Sequence, residues 1–347
     1  MKARLRHMRA GTAACAVAAV VACTSSSAPS LRTIAGVAQG TTYSLQWTGG
    51  ATELEIAAAA AQELARIDAL LSNYRPDSTL ELFNAADSTE PIELPSELIA
   101  LLELAKRVHR ASDGCFDPTV RPLVHAWGFD GDDPAVPAPE AIDAARAVVG
   151  LDKLELTDAM HARKTVAALA LDMASIGQGY SAGLLADLLE RSGSTAYLAE
   201  IGGEVVARGL KPDGSAWRIG IENPVLGAGP ALKMPPAART AVITSGSYRH
   251  YLEAGGRRFG HIIDPRTGWP VEHALVAATV VGNDAATAAA WGTALLCLGP
   301  GAASATADRE ALAALFWIGH DAEAPTLEQS REFAAEWRDL LEEPRSR

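Results

Sequence analysis

Short strand-like segments separated by glycine-containing turns fill the second half of this chain, and they constrain its fold more than any other sequence feature. Turns such as Ala254-Gly255-Gly256 favour antiparallel hairpins over parallel strands joined by crossover helices. The predicted strands span residues 195–201, 217–222, 240–244, 248–253 and 275–281, and residues 41–47 form another near the start. We therefore expect largely antiparallel sheets.

Helix patterns are mixed with these strands. Thr52 and Glu55 form a capping-box pattern that opens a helix running towards Leu71. Further helices are predicted over residues 96–111, 139–149, 178–192, 285–298 and 327–341. Because helices and hairpins do not alternate as strict βαβ units, the sequence predicts an α+β fold of mixed, largely antiparallel sheets flanked by helices. With no strong linker, we expect one unit over residues 31–347.

The first 23 residues have the three-part layout of an export signal. Basic residues are followed by an apolar stretch from Ala13 to Ala22, which is shorter than the ~20 residues of a membrane-spanning helix. Residues 20–23 resemble a bacterial lipobox. This predicts signal peptide 1–22, a lipidated Cys23, polar tether 24–30 and a membrane-anchored lipoprotein facing the periplasm at the inner or outer membrane. The alternative is an ordinary secretory signal with an incidental cysteine.

Composition narrows the classes of partner. The chain has 347 residues and a net charge of −12, so it offers no basic stripe for a phosphate backbone and we expect no nucleic-acid partner. Outside the signal only Cys115 and Cys297 remain. They are able to pair in an oxidising compartment, but their spacing indicates no zinc site, and we favour two small buried thiols.

Three segments combine glycine with acidic, hydroxyl or histidine side chains. Residues 171–180 are predicted to run from a strand end into a helix, where an anionic phosphate would be favoured, although a plain turn with a capping serine explains the same pattern. His261 precedes the turn 264–268. A histidine there is able to exchange a proton near neutral pH, and the alternative is a purely structural role. The helix 287–294 offers two hydroxyl groups and, by itself, indicates only a buried helix.

Taken together and in order, these segments resemble the FAD:protein FMN transferases, also called the ApbE or thiamine-biosynthesis lipoprotein family. The resemblance covers nearly the whole mature chain. The matching segments are Gly40-Thr41-Thr42-Tyr43, Ser72 to Ser78, Phe83-Asn84, Phe116 to Val120, Pro122-Leu123, Trp127-Gly128-Phe129, Leu171 to Tyr180, Ile201 to Glu204, Thr244 to Arg249, His261 to Gly268 and Trp291 to Gly299.

The resemblance implies a T-fold-like architecture and an exported enzyme that uses Mg²⁺. Such an enzyme splits FAD and esterifies the FMN half to a Thr or Ser hydroxyl of an acceptor flavoprotein. Matched by position, His261 and Asp172 are the implied catalytic residues. The implied nucleotide-binding residues are Gln39, Tyr74, Cys115, Phe116, Asp117, Asp172, Gln178, His261, Ile262 and Ile263, and the implied metal positions are Ser175, Ala289 and Thr293.

The chain departs from the family pattern at a metal position. Family members usually carry an Asp four residues before the threonine of the last motif, whereas this chain has Ala289 before Thr293. Mg²⁺ is usually held by one or two carboxylates, so this loss should weaken metal binding. Two functions follow: an active flavin transferase, or a flavin-binding homologue with impaired cleavage that serves as a flavin store, carrier or scaffold. An exported protein that binds no flavin is a third alternative.

Overall fold

A computed structural model describes residues 30–131, 134–225, 227, 229–319 and 325–342. The predicted signal peptide, Cys23 and the tether up to residue 29 lie outside the described residues. Within the described ranges, no helix combines the length and the apolar character needed to cross a membrane.

A large antiparallel sheet forms the centre of the fold. The strands of the described residues are β1 (Leu31–Ala38), β2 (Thr41–Thr48), β3 (Ile92–Glu93), β4 (Leu154–Asp158), β5 (His161–Lys164), β6 (Ala196–Ile201), β7 (Glu204–Arg208), β8 (Arg218–Gly220), β9 (Ala231–Lys233), β10 (Thr240–Gly246), β11 (Tyr251–Ala254), β12 (Arg257–Gly260), β13 (Leu275–Gly282), β14 (Ala313–Ile318), β15 (Thr326–Gln329) and β16 (Leu341–Glu342). Eight of them pair in the order β1-β2-β6-β7-β10-β13-β14-β15. The smaller sheets are β11-β12, β16-β9-β8 and β3-β5-β4. The predicted α+β class with antiparallel sheets is confirmed.

Helices pack against both faces of the central sheet, most of them in one buried cluster and the last in the other. They are α1 (Glu53–Leu71), α2 (Thr79–Ala85), α3 (Ser96–Ala111), α4 (Arg121–Trp127), α5 (Pro139–Val148), α6 (Ala174–Arg191), α7 (Ala285–Leu298), α8 (Pro300–Arg309) and α9 (Arg331–Glu336). The predicted capping box opens α1, because Thr52 and Glu55 satisfy each other's backbone N–H groups. The helices predicted over 96–111 and 285–298 are confirmed at both ends.

The two central helices, α6 and α7, pack against each other at a seam of small residues. A Cβ atom at Gly179 would lie 2.6 Å from the carbonyl oxygen of Ala285 and 2.7 Å from the Cβ of Ala289. One turn later, a Cβ at Gly183 would lie 3.8 Å from the Cβ of Ala285. The helices therefore run antiparallel, which brings the first turn of α6 to the same end of the pair as residue Thr293 of α7.

The helix predicted over 327–341 is wrong. Residues 326–329 instead form β15, in which Leu327 pairs with Trp317 of β14. Ser330 then ends this strand and caps the short helix α9 through a bond from the N–H of Phe333. Antiparallel pairing with the neighbouring strand β14 overrides the local helical pattern here.

The prediction of two separate buried thiols is also wrong. Cys115 and Cys297 form a disulfide that links residues 182 positions apart. Both are buried, as expected for small apolar side chains, but the fold brings them together. The bond ties the loop before the 3₁₀ turn at Pro118–Val120 to the last turn of α7.

Candidate active site

A cleft with a volume of about 1310 Å³ opens at the end of the central sheet where the β1–β2 and β6–β7 turns lie. Segments from α1, α4, α6, α7 and β10 also contribute to its walls. The cleft is lined by all the residues that the sequence indicated for the site except Ala289, namely Gln39, Tyr74, Cys115, Phe116, Asp117, Asp172, Ser175, Gln178, His261, Ile262, Ile263 and Thr293. The fold therefore gathers segments that are far apart along the chain.

Asp172 stands just before α6 and is fixed there by two donors. Its Oδ1 atom accepts a hydrogen bond from the backbone N–H of Ala174 at 2.8 Å and another from Nδ2 of Asn73 at 2.7 Å. The preceding residue, Leu171, is clamped by Asn84, whose amide both accepts from its N–H and donates to its carbonyl oxygen. The start of α6 is thus held from both sides.

His261 has a defined tautomer. Its Nδ1 atom lies 3.0 Å from the carbonyl oxygen of His250, and since a carbonyl only accepts, Nδ1 carries the hydrogen in this contact. Burial lowers the pKa of His261, and the nearby His250 ring lowers the pKa further, against an opposite effect of the hydrogen bond. The imidazole is therefore neutral at neutral pH, with Nε2 free to accept a proton.

Hydroxyl and amide side chains cluster around the α6–α7 end of the cleft. The Oγ atom of Ser245 lies 3.3 Å from Oγ1 of Thr293, which joins β10 to α7. Gln178 covers the β6–β7 turn, since a Cβ atom at Gly202 would lie 3.0 Å from its Oε1 atom. Gln39 reaches the same helix by donating to Ser181 at 2.9 Å. These groups offer hydrogen bonds without charge.

The loop residues next to the disulfide are held mainly from inside the protein. The carboxylate of Asp117 accepts from Thr119, from the N–H of Leu151 at 3.1 Å, and pairs with His109 at 3.4 Å. Burial raises the pKa of Asp117, although these hydrogen bonds and His109 oppose it. Its structural role is therefore clear, and its contact with a nucleotide stays a prediction, as do those of Cys115 and Phe116.

Two further predicted residues differ in their surroundings. Tyr74 is 79% exposed at the rim of the cleft, where its ring is available to a planar ligand. Ile263 instead packs in a buried cluster with Trp127 and Phe259, so only part of it reaches the cleft wall.

Ala289 is not part of the cleft wall, and its assignment as a metal position stays a prediction. It is buried, and its methyl group faces Gly179 at the α6–α7 seam. The nearby hydroxyls of Ser175 and Thr293 are neutral ligands at best. Within the described residues, the metal-type group that converges is Cys115, Asp264 and Cys297, and its two sulfurs are bonded to each other. Position 289 therefore supplies no carboxylate to a magnesium ion held by the Ser175 and Thr293 hydroxyls.

Glu204 is a cleft residue that sequence reasoning left without a role. It begins β7, and its Oε2 atom accepts from the N–H of Thr244 at 3.2 Å. Desolvation raises the pKa of Glu204 to about 8, the bond from Thr244 opposes this, and repulsion from Glu200 adds to it. The sequence offers one signal for this residue: an acidic side chain directly follows Gly202-Gly203 in a turn between strands, and glycine allows the backbone to approach a ligand closely.

The chain matches a known protein family over most of its length. A family model described as "ApbE family" matches residues 39–316, which include every segment that lines the cleft. The FAD:protein FMN transferase of Escherichia coli (strain K12) is 38% identical over 251 residues, covering 71% of this chain and 72% of that protein. The Salmonella typhimurium protein of the same name is 35% identical over 297 residues, covering 84% and 85%.

Solved structures are similar over the same region. The apo flavinyl transferase ApbE of Pseudomonas stutzeri has a TM-score of 0.81 at 35% identity, covering 89% of this chain and 97% of that one. The flavin transferase ApbE of Vibrio cholerae has a TM-score of 0.80 at 31% identity, covering 88% and 99%. Fold and sequence thus point to the same relatives.

Proposed function

Because this chain belongs to the ApbE family, we propose that it is an FAD:protein FMN transferase acting on an acceptor flavoprotein. A Thr or Ser hydroxyl oxygen of the acceptor attacks the phosphorus of the FMN half of FAD. The bond from this phosphorus to the bridging oxygen breaks, and AMP leaves with that oxygen. The observation that supports the proposal most is the convergence of His261, Asp172 and the Ser175 and Thr293 hydroxyls on one cleft.

His261 is the base in the proposed reaction. Its Nε2 atom is unprotonated, because Nδ1 donates to the carbonyl oxygen of His250 and burial keeps the pKa of the ring low. Nε2 accepts the proton of the acceptor hydroxyl as its oxygen attacks the phosphorus. A positioned base of this kind contributes about 10²–10⁴-fold to a rate.

The other cleft residues bind and orient FAD. The cleft volume of about 1310 Å³ exceeds the ~300–1,000 Å³ typical of sites for drug-sized ligands, as a dinucleotide requires. The free carboxylate oxygen of Asp172 suits hydroxyl or N–H donors of the nucleotide, and the amide of Gln178 suits donors and acceptors alike. The N-terminus of α6, an 18-residue helix, favours the diphosphate at the Ser175 end.

The Mg²⁺ dependence implied by the resemblance is the weakest part of the family pattern in this chain. The proposed reaction includes no step at a metal, because position 289 offers a buried methyl group and the Ser175 and Thr293 hydroxyls supply no charge. We expect Mg²⁺ to act on this protein only at high concentration.

Ala289 favours a second candidate function. A homologue that binds FAD in the same cleft but lacks the carboxylate would hold the intact dinucleotide as a store, carrier or scaffold. The binding residues of the first candidate serve the second equally well. The two candidates differ only in whether AMP is released.

We also propose that the protein is exported and anchored by lipid at Cys23. The support is the signal-like composition of residues 1–22 and the lipobox-like residues before Cys23. The Cys115–Cys297 disulfide adds an independent argument, since disulfides persist in oxidising compartments such as the periplasm. An exported acceptor flavoprotein is then the natural partner.

One experiment separates the candidates. The purified protein is incubated with FAD and a peptide bearing an acceptor Thr, with and without Mg²⁺, and the peptide is weighed by mass spectrometry while AMP is followed by chromatography. A transferase adds the mass of FMN less one water and releases AMP. Retention of intact FAD supports the second candidate, and failure to retain FAD in equilibrium dialysis at tens of micromolar removes both.

A further inference from the structure

The carboxylate of Asp172 is restrained on one oxygen only. Both of its hydrogen bonds, from Nδ2 of Asn73 and from the N–H of Ala174, end on Oδ1. Within the described residues, no hydrogen bond reaches Oδ2, although Asp172 lines the cleft. The atom left for a ligand is therefore Oδ2.

Asn73 is itself braced from behind. It follows α1 directly, and its carbonyl oxygen accepts a hydrogen bond from Nη2 of Arg121 at 2.9 Å. The Arg121 guanidinium is held in turn by Glu81 at 3.4 Å and by Asp130 at 3.8 Å. Arg121, Asn73 and Asp172 thus connect the start of α4, the end of α1 and the start of α6, which form three walls of the cleft.

The two bonds of Asn73 use different parts of the residue. Arg121 binds its backbone oxygen, so the loop remains braced whatever side chain stands at position 73. The Asn73 side chain binds the carboxylate of Asp172, 99 positions away in the sequence. A side-chain substitution at position 73 therefore tests the contact with Asp172 and spares the brace.

We propose that Asn73 is a positioning residue that turns Oδ2 of Asp172 towards the bound nucleotide. The terminal torsion of an aspartate is broad, and the N–H of Ala174 alone leaves the carboxylate free to rotate about this bond. A second, charge-assisted bond to the same oxygen fixes the plane of the group. This proposal rests on the proposed function, in which Asp172 contacts FAD.

A double-mutant cycle tests this role. The Kd for FAD is measured by flavin fluorescence for the parent protein, Asn73→Leu, Asp172→Ala and the double variant, with thermal unfolding as a check on folding. Asn73→Leu is expected to weaken FAD binding about tenfold, the size of one hydrogen bond to a charged group. In the Asp172→Ala background the same change is expected to alter Kd less than about twofold, because there is no carboxylate left to orient.

Asp77→Asn is the matched control. Asp77 lies in the same loop, its side chain is 70% exposed, and it pairs with Arg75 rather than with Asp172. This variant is expected to bind FAD as the parent does. If Asp77→Asn weakened FAD binding as much as Asn73→Leu, the weaker binding would result from a change in the whole loop and not from the contact between Asn73 and Asp172.

Other outcomes overturn the proposal directly. Equal losses from Asn73→Leu in both backgrounds, or no loss in either, would mean that Asn73 does not act through Asp172. If Asn73→Leu fails to fold, the isosteric Asn73→Asp replaces it and is expected to weaken binding only where Asp172 is present, since two adjacent carboxylates repel. A parent protein that binds no FAD would instead remove the proposed function itself.

Discussion

Gly179 of α6 lies against Ala289 of α7 so closely that a Cβ atom at position 179 would stand 2.7 Å from the Cβ of Ala289. Position 289 thus faces the seam between the helices, one helical turn before Thr293, whose hydroxyl reaches the cleft. A carboxylate at position 289 would lie on the same face of α7 as the Thr293 hydroxyl, one helical turn away. In place of the acid usual in the family, this chain therefore has a tightly packed apolar contact between Ala289 and Gly179.

Ala289→Asp is expected to raise Mg²⁺-dependent release of FMN from FAD. The substitution adds an oxygen ligand of the type that Mg²⁺ prefers. Without metal it buries an unpaired charge, which costs several kcal/mol, so the unfolding temperature should fall and should recover when Mg²⁺ is added. Ala289→Asn, of similar size and without charge, is the control. Brisk FAD cleavage by the unmodified protein at sub-millimolar Mg²⁺, unchanged in Ala289→Asp, would contradict this account.

The Cys115–Cys297 disulfide is expected to contribute about 2–5 kcal/mol to the free energy of unfolding, as native disulfides in exported proteins do. In the presence of a reductant, the midpoint of urea unfolding should fall, and the free energy of unfolding obtained from the curve should decrease by that amount. The double variant Cys115→Ala/Cys297→Ala should start at the lower stability and show no response to the reductant. Identical curves for the parent protein with and without reductant would mean that the bond does not form.

Local signals predicted the elements that local interactions specify. The capping box at Thr52 and the strands flanked by glycine turns were found because their determinants lie within a few residues. The pattern of residues 327–341 predicts a helix because the spacing of their apolar residues does not reveal the pairing of Leu327 with Trp317 of β14. An edge strand such as β15 is therefore difficult to distinguish from a helix by its own sequence alone.

The residues of the candidate site also fall into those that the sequence indicates and those that only the structure reveals. The resemblance supplied the residues that line the cleft, but the residues that hold them were not visible in any motif. The bond from Asn73 to Asp172 and the disulfide from Cys115 to Cys297 join positions far apart, with no spacing rule. Glu204 was part of a matched segment, yet its desolvated carboxyl becomes apparent only once the strands and helices surround it.

Glu204→Gln is expected to change how stability depends on pH. The raised pKa of Glu204, about 8 in the folded protein, means that the folded state keeps its proton between about pH 4.5 and 8 while the unfolded state has released it. Stability from this group is therefore full below about pH 4.5 and is lost as the pH rises through 8. Glu204→Gln should flatten this decline, measured by chemical unfolding across the pH range.

Glu200→Gln is the matched control for that experiment. Glu200 adds repulsion, but desolvation is the larger cause of the raised pKa of Glu204. Its carboxylate also accepts from the N–H of Gly203 at 2.8 Å, and the amide oxygen of Gln is able to keep this bond. The decline should persist in Glu200→Gln. A decline of the same size in Glu204→Gln would rule out Glu204 as its source.

Cys23→Ala is expected to abolish membrane fractionation without changing FAD binding. The thiol of Cys23 is the proposed attachment point of the lipid, whereas the cleft begins at Gln39. Fractionation of cells followed by immunoblotting measures the distribution. Ala22→Ser, which alters the neighbouring position and keeps the thiol, is the control. An unchanged distribution of Cys23→Ala would indicate an ordinary secretory signal.

His261→Gln is expected to lower the rate of FMN transfer by about 10²–10⁴-fold while changing the Kd for FAD only a few fold. The glutamine amide is able to donate to the carbonyl oxygen of His250 but accepts no proton. Because burial lowers the pKa of His261, the parent rate should stay constant around neutral pH and fall only below pH 6.5, as the ring becomes protonated. His161→Gln, at a histidine that pairs with Asp158 and is not part of the cleft wall, should leave the rate and its pH profile unchanged. A His261→Gln variant that transfers FMN at the parent rate would assign the proton to another acceptor.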